Sequence, residues 1–203
     1  MVSSTACSKN VIERLRCWLF VLALLLPVVG WAAEIDISAQ QIAAGEDGYV
    51  LSADFNFELN QRLEETVTKG VVLYFVADFE LSRPRWYWLD EKMVSRSQTY
   101  RLSYHALTRQ YRLSTGALHQ SFSTLTEALR MLAHLRNWVV VDKSDKAVHA
   151  GEPYQAALRL RLDIAQLPRP FQMSALGNKD WSLSSDWKTW PLVLPPAAPV
   201  EAK

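Results

Sequence analysis

Cysteine is nearly missing from this 203-residue sequence: there are two, Cys7 and Cys17. Both lie in the first 33 residues, ahead of every strand and helix pattern. The rest of the chain has no thiol for a disulfide, a nucleophile or a thiolate metal site. Glycine is sparse as well. The seven present form no Gly-x-Gly-x-x-Gly or Walker pattern, which removes the phosphate-cradling loops of nucleotide enzymes. Neither charge is in excess, with 22 Lys+Arg against 21 Asp+Glu, so a nucleic-acid partner is not expected. No Gly-x-Ser-x-Gly elbow marks a hydrolase nucleophile. The four histidines, His105, His119, His134 and His149, include no pair at metal-ligand spacing. These absences point to a protein with no cofactor and no metal, and to a binding role rather than catalysis.

The N-terminus has a pattern of its own. Lys9, Arg14 and Arg16 precede an apolar stretch at 18–29. That stretch is about twelve residues, short of the ~20 a helix needs to span a bilayer. Gly30 and Ala32 then place small residues at −3 and −1 of a cleavage after Ala32. This is the layout of a secretory signal peptide, with Trp31 leaving open an uncleaved inner-membrane anchor. A periplasmic location follows, with membrane contact only through this segment. Without it the chain carries 19 basic and 20 acidic residues. The remaining length, roughly 170 residues, suits one β-rich domain over 34–192. The Pro/Ala-rich end, 193–203, reads as a disordered tail.

The main signal downstream is period 2, the mark of half-buried strands. Tyr49, Leu51, Ala53, Phe55, Phe57 and Leu59 alternate with Val50, Ser52, Asp54, Asn56 and Glu58. A strand at 35–42 precedes them across the turn 45–48. The run 71–79 is apolar on both faces at first and reads as a central strand. Another strand starts at 86–89. Tyr100, Leu102 and Tyr104 pair as a hairpin with Tyr111 and Leu113, and further strands follow at 137–141 and 154–164. Helical period appears twice. Leu125, Leu129, Leu132 and Leu135 form an apolar stripe opened by a Thr124/Glu127 capping box, predicting a helix over 124–136. A shorter helix is predicted at 60–67. The fold class is therefore mainly β or α+β: an antiparallel β-sandwich, or a strongly curved sheet, of about 7–8 strands.

Three groups of residues could carry function. Arg101, Arg112, Arg159 and Arg161 fall on polar strand faces. They either pair with Asp and Glu across strands or form an anion-binding stripe. Trp86 and Trp88 point to one side of a strand, and Trp181, Trp187 and Trp190 gather near the end. Such residues either fill a thin core or anchor a ligand. The candidate binding surface is thus Trp86, Trp88, Arg101, Arg112, Arg159 and Arg161. Among the carboxylates, Asp54 and Glu58, and Asp78 and Glu80, share strands. A facing pair would suit an envelope hydrolase, whereas solvated faces are the ordinary outcome.

The motifs at 70–75, Arg85-Trp86-Tyr87-Trp88, Arg101-Leu102-Ser103-Tyr104, 108–112, the 125–135 helix, 160–163, 167–171 and Trp181…Ser185-Asp186-Trp187 are similar to those of the domain-of-unknown-function family number 4390. The likeness runs from about 35 to 192. It implies an exported proteobacterial protein, of the kind labelled a proline-rich signal-peptide protein and encoded beside a membrane sensor histidine kinase. It implies no catalytic residue. The function expected is a non-enzymatic periplasmic module that binds an envelope protein or a small apolar ligand, as an accessory to such a sensor. An apolar-ligand or lipid carrier is the alternative, and a hydrolase with paired carboxylates a second one.

Overall fold

Alternation of apolar and polar residues dictates most of the architecture. In a computed structural model, which describes residues 35–85, 87, 90–175 and 177–196, these stretches form nine strands, all paired antiparallel. They are β1 (Asp36–Ala44), β2 (Gly48–Asn56), β3 (Leu73–Arg83), β4 (Glu91–His105), β5 (Gln110–Thr115), β6 (Leu118–Phe122), β7 (His134–Asp142), β8 (Pro153–Leu162) and β9 (Lys188–Val193). Helices α1 (Gln61–Thr68), α2 (Leu125–Ala133) and α3 (Arg169–Ala175) interrupt them. The strands make two sheets, ordered β1-β2-β7 and β6-β5-β4-β3-β8-β9. Neither sheet is closed or curled, so the strongly curved single sheet is not what forms. The class is mainly β with α+β character.

Both sheets turn their apolar parity into one core. Leu51, Ala53 and Phe55 come from β2. Leu73, Phe75, Ala77, Phe79 and Leu81 come from β3, and Tyr154, Ala156, Leu158, Leu160 and Leu162 from β8. The doubly apolar start of β3 is explained by its place between β4 and β8, where Val76 is also buried on the outer face. Gly48 opens β2 at φ +141, and a Cβ there would lie 2.1 Å from the Val141 carbonyl oxygen. Only glycine permits that backbone approach.

Asn60 caps α1 by accepting from the Leu63 amide at 3.0 Å, and Leu63, Thr66 and Val67 are buried. Helix α2 begins at the expected capping box, where Glu127 N–H donates to Thr124 Oγ1 at 3.2 Å and Thr124 N–H reaches back to the Glu127 carboxylate. It ends at Ala133 rather than 136. The chain passes from α2 straight into β7, and Leu135 is buried from the strand. Leu135 satisfies the helical spacing and the strand packing alike, so the leucine stripe ran on past the true end. No glycine or proline marked the boundary.

Strand β6 and the first half of β4 lack an apolar alternation because one or both of their faces meet water, and β9 is short, with only Trp190 and Leu192 turned to the core. Pro191 sits in β9, where an edge strand tolerates it. The described residues run on past 192. Val193 is in β9, Leu194 is buried, and Tyr49 Oη donates to the Pro195 carbonyl at 2.7 Å. The rest of the expected tail, and the expected signal segment 1–33, lie outside the described residues. Among the described residues no helix is long and apolar enough to cross a membrane.

Candidate functional site

The outer face of the six-stranded sheet holds all four arginines singled out above, in two different environments. Cross-strand register fixes the rows. Arg101 lies between Tyr74 and Ser114, and His119 follows Ser114 in the same row. Arg112 lies between Ser103 and Ser121. On the other side of β3, Arg161 stands opposite Val76 and Arg159 opposite Asp78.

Asp78 divides the surface. Its carboxylate accepts from Arg159 at 2.9 Å, from Arg161 Nε at 2.9 Å and from Ser97 Oγ at 2.8 Å. Burial alone would push the Asp78 carboxyl up. Hydrogen bonds from Arg159, Ser97 and Arg161 outweigh it and hold the group below the usual carboxylate range. The Arg159 guanidinium also lies 4.5 Å from the centre of the Trp187 ring, a cation–π contact. Arg161 Nη1 also lies 3.6 Å from Asp163 Oδ1, so both arginines are paired with carboxylates.

Arg101 and Arg112 are not. No carboxylate accepts from either among the described residues. The Nε atoms of Arg112 and Arg159 are both buried without a hydrogen-bond partner, but Arg159 has the Asp78 carboxylate on its other nitrogen and Arg112 has none. They occupy diagonal positions on neighbouring strands, a spacing of about 7–8 Å. A groove of about 420 Å³ runs across them, lined also by Thr99, Ser103, His105, Ser114 and His119. Among the described residues no Asp or Glu lines it. Two guanidinium forks, two imidazoles and three hydroxyls therefore converge on a space without a compensating negative charge. Arginine forks match carboxylate and phosphate geometry. His105 shares the outward parity of Arg101 on β4, a signal present in the sequence. His119 comes in on β6, whose polar sequence carried no strand signal.

The remaining candidates are dispersed. Trp86 and Trp88 lie outside the described residues. Trp181 is core, 2% exposed and 5.6 Å from the Phe171 ring centre, while Trp190 packs on the core margin. The carboxylates face cations rather than each other. Asp54 is held by Arg136 and by His134 Nδ1 at 2.8 Å, hydrogen bonds that lower its pKa. Glu80 accepts from Lys92 at 2.7 Å. No group of three or more His, Cys, Asp or Glu is placed to hold a metal among the described residues.

Comparison with protein families adds one decisive match, to "Domain of unknown function (DUF4390)" over residues 32–191. The chain belongs to this family. The DUF4390 match spans β1 through most of β9 and includes every strand of the groove. No curated protein and no solved structure matches the chain, so the DUF4390 groove has to be read from its own chemistry.

Proposed function

We propose that this DUF4390 chain is a non-enzymatic, exported binding module that takes an acidic ligand in the groove between β4, β5 and β6. The observation that carries the reading is that, among the described residues, Arg101 and Arg112 have no carboxylate partner, beside two arginines that do. A near-neutral chain that supplies Asp78 to Arg159 and Arg161 has no general basic surplus, so the bare pair is local. An incoming carboxylate or phosphate would supply the acceptor that the Arg101 and Arg112 guanidinium groups lack among the described residues. The single core drawn from both sheets supports reading them as a sandwich, with the groove on its outer surface. The N-terminal signal pattern supports a periplasmic location, and an accessory role to a membrane sensor is part of the same proposal.

The test is fluorescence anisotropy with a labelled peptide alternating Glu and Thr, and a Lys/Thr peptide as control. The acidic peptide should bind at about 0.05 M salt and weaken towards about 0.5 M, where screening is severe. Arg101→Glu/Arg112→Glu should lower affinity about tenfold or more, equivalent to about 1.4 kcal/mol, with unchanged thermal stability. Absence of binding at low salt, or equal binding by the reversal variant, sinks the reading.

A further inference from the structure

Strand β6 forms one side of this groove and also ends the larger sheet. Exposed strand edges are templates for further pairing, and proteins usually guard them with Lys, Pro, bulges or charge. The other edges here are guarded. Strand β9 carries Lys188 and Pro191. Strand β1 is bulged at Ile37/Ala39, and β7 has two register shifts against β2. The sequence of β6, Leu-His-Gln-Ser-Phe, has none of these devices, and its first four residues are exposed.

We propose that β6 is a docking edge, at which an extended acidic segment of a partner protein adds as a seventh strand. This rests on the acidic-ligand reading of the groove and assigns the ligand's form. The geometry follows from the hairpin. Gly116, at φ +55, opens a two-residue loop of type II′ character. The flanking pair, Thr115 and Leu118, is then the hydrogen-bonded one, and alternation turns the backbone N–H and C=O of His119 and Ser121 away from β5. No described backbone group hydrogen-bonds to that side. An added strand would lie about 4.8 Å from β6 and about 10 Å from β5, within reach of the Arg112 fork. Its residues opposite His119 and Ser121 would face the groove and should be acidic. Those opposite Leu118, Gln120 and Phe122 would face the other side, where Leu118 is 78% exposed, and should be apolar. The partner segment therefore reads as alternating acidic and apolar residues, recognised by β-augmentation.

The experiment uses the full chain and a labelled peptide alternating Glu and Val. Three perturbations are compared: Ser121→Pro, which removes one edge-facing N–H at a position where an edge strand accepts proline; a peptide N-methylated on alternate amides; and Arg101→Glu/Arg112→Glu. Strand addition predicts about tenfold or greater loss in all three, and slowed hydrogen exchange at His119 and Ser121 when the unmodified peptide binds. If the N-methylated peptide binds as tightly as the unmodified one while charge reversal abolishes binding, strand addition is wrong and the acidic-ligand reading stands. Failure of the peptide to bind at all removes both. The N-methylated arm uses the unaltered protein, so it decides the matter even if Ser121→Pro does not fold.

Discussion

Replacing Asp78 with Asn tests the division of the arginine surface directly. The side chain is 13% exposed and is the shared acceptor for Arg159 and Arg161, with Ser97 as a third donor. Asn preserves the volume but removes the charge that two guanidinium groups share. Hydrogen bonds to charged groups contribute about 1.5–3 kcal/mol each when well buried. Here the two arginines are 29% and 33% exposed, so water recovers part of the loss. A total cost of about 2–3 kcal/mol is expected. For a domain of this size that lowers Tm by about 5–10 °C. Thermal unfolding followed by circular dichroism at pH 7 measures it. Acid supplies the control. The Asp78 carboxyl has a lower pKa in the folded protein than its ordinary value of 3.8. Its contribution is therefore complete above the unfolded value and disappears as pH falls through the folded one. The gap between parent and Asp78→Asn should be full at pH 7 and close on acidification below the ordinary carboxylate range. Equal Tm values at pH 7, or a gap that acid leaves unchanged, would refute the view that Asp78 neutralises these arginines.

Two further substitutions probe the scaffold that positions the groove. Gly48→Ala should destabilise by about 2 kcal/mol or more, since its Cβ would meet the Val141 carbonyl oxygen at 2.1 Å and φ is +141; an unshifted urea midpoint would contradict the β2–β7 contact. Leu132→Ala should cost about 2–5 kcal/mol through the cavity it leaves, and more than Leu129→Ala, because Leu132 is fully buried whereas Leu129 only packs on the core margin. Equal losses in chemical denaturation would mean that α2 presents a different face.

Much of the fold was legible in the sequence, and the reason is periodicity. The strands β2, β5 and β8 each bury one face, so alternation revealed them; the apolar run revealed β3, which is buried on both faces at Val76; and the Thr124/Glu127 capping box located the start of α2 to the residue. The end of α2 was hidden because Leu135 fits two periods. Strands β6 and β9 were hidden because edge strands bury little, leaving β6 without an apolar signature and β9 with a proline. The arginines of the site were visible as outward-facing residues on strands. Their separate fates were not, because one sequence pattern serves a paired and an unpaired guanidinium equally.

The sequence alone determined that no cysteine lies beyond Cys17 and that no nucleotide-loop glycine pattern is present, along with the β-rich class and the outward parity of Arg101, Arg112, Arg159 and Arg161. These are consequences of composition and of local geometry, which need no knowledge of neighbours. Only the tertiary structure decided that Asp78 stands beside Arg159 and Arg161 and that, among the described residues, no carboxylate pairs with Arg101 or Arg112. It also decided that His119 joins them from the sheet's undefended edge. Strand order and register set those distances, and electrostatic pairing acts over a few ångströms in space, whatever the separation along the chain.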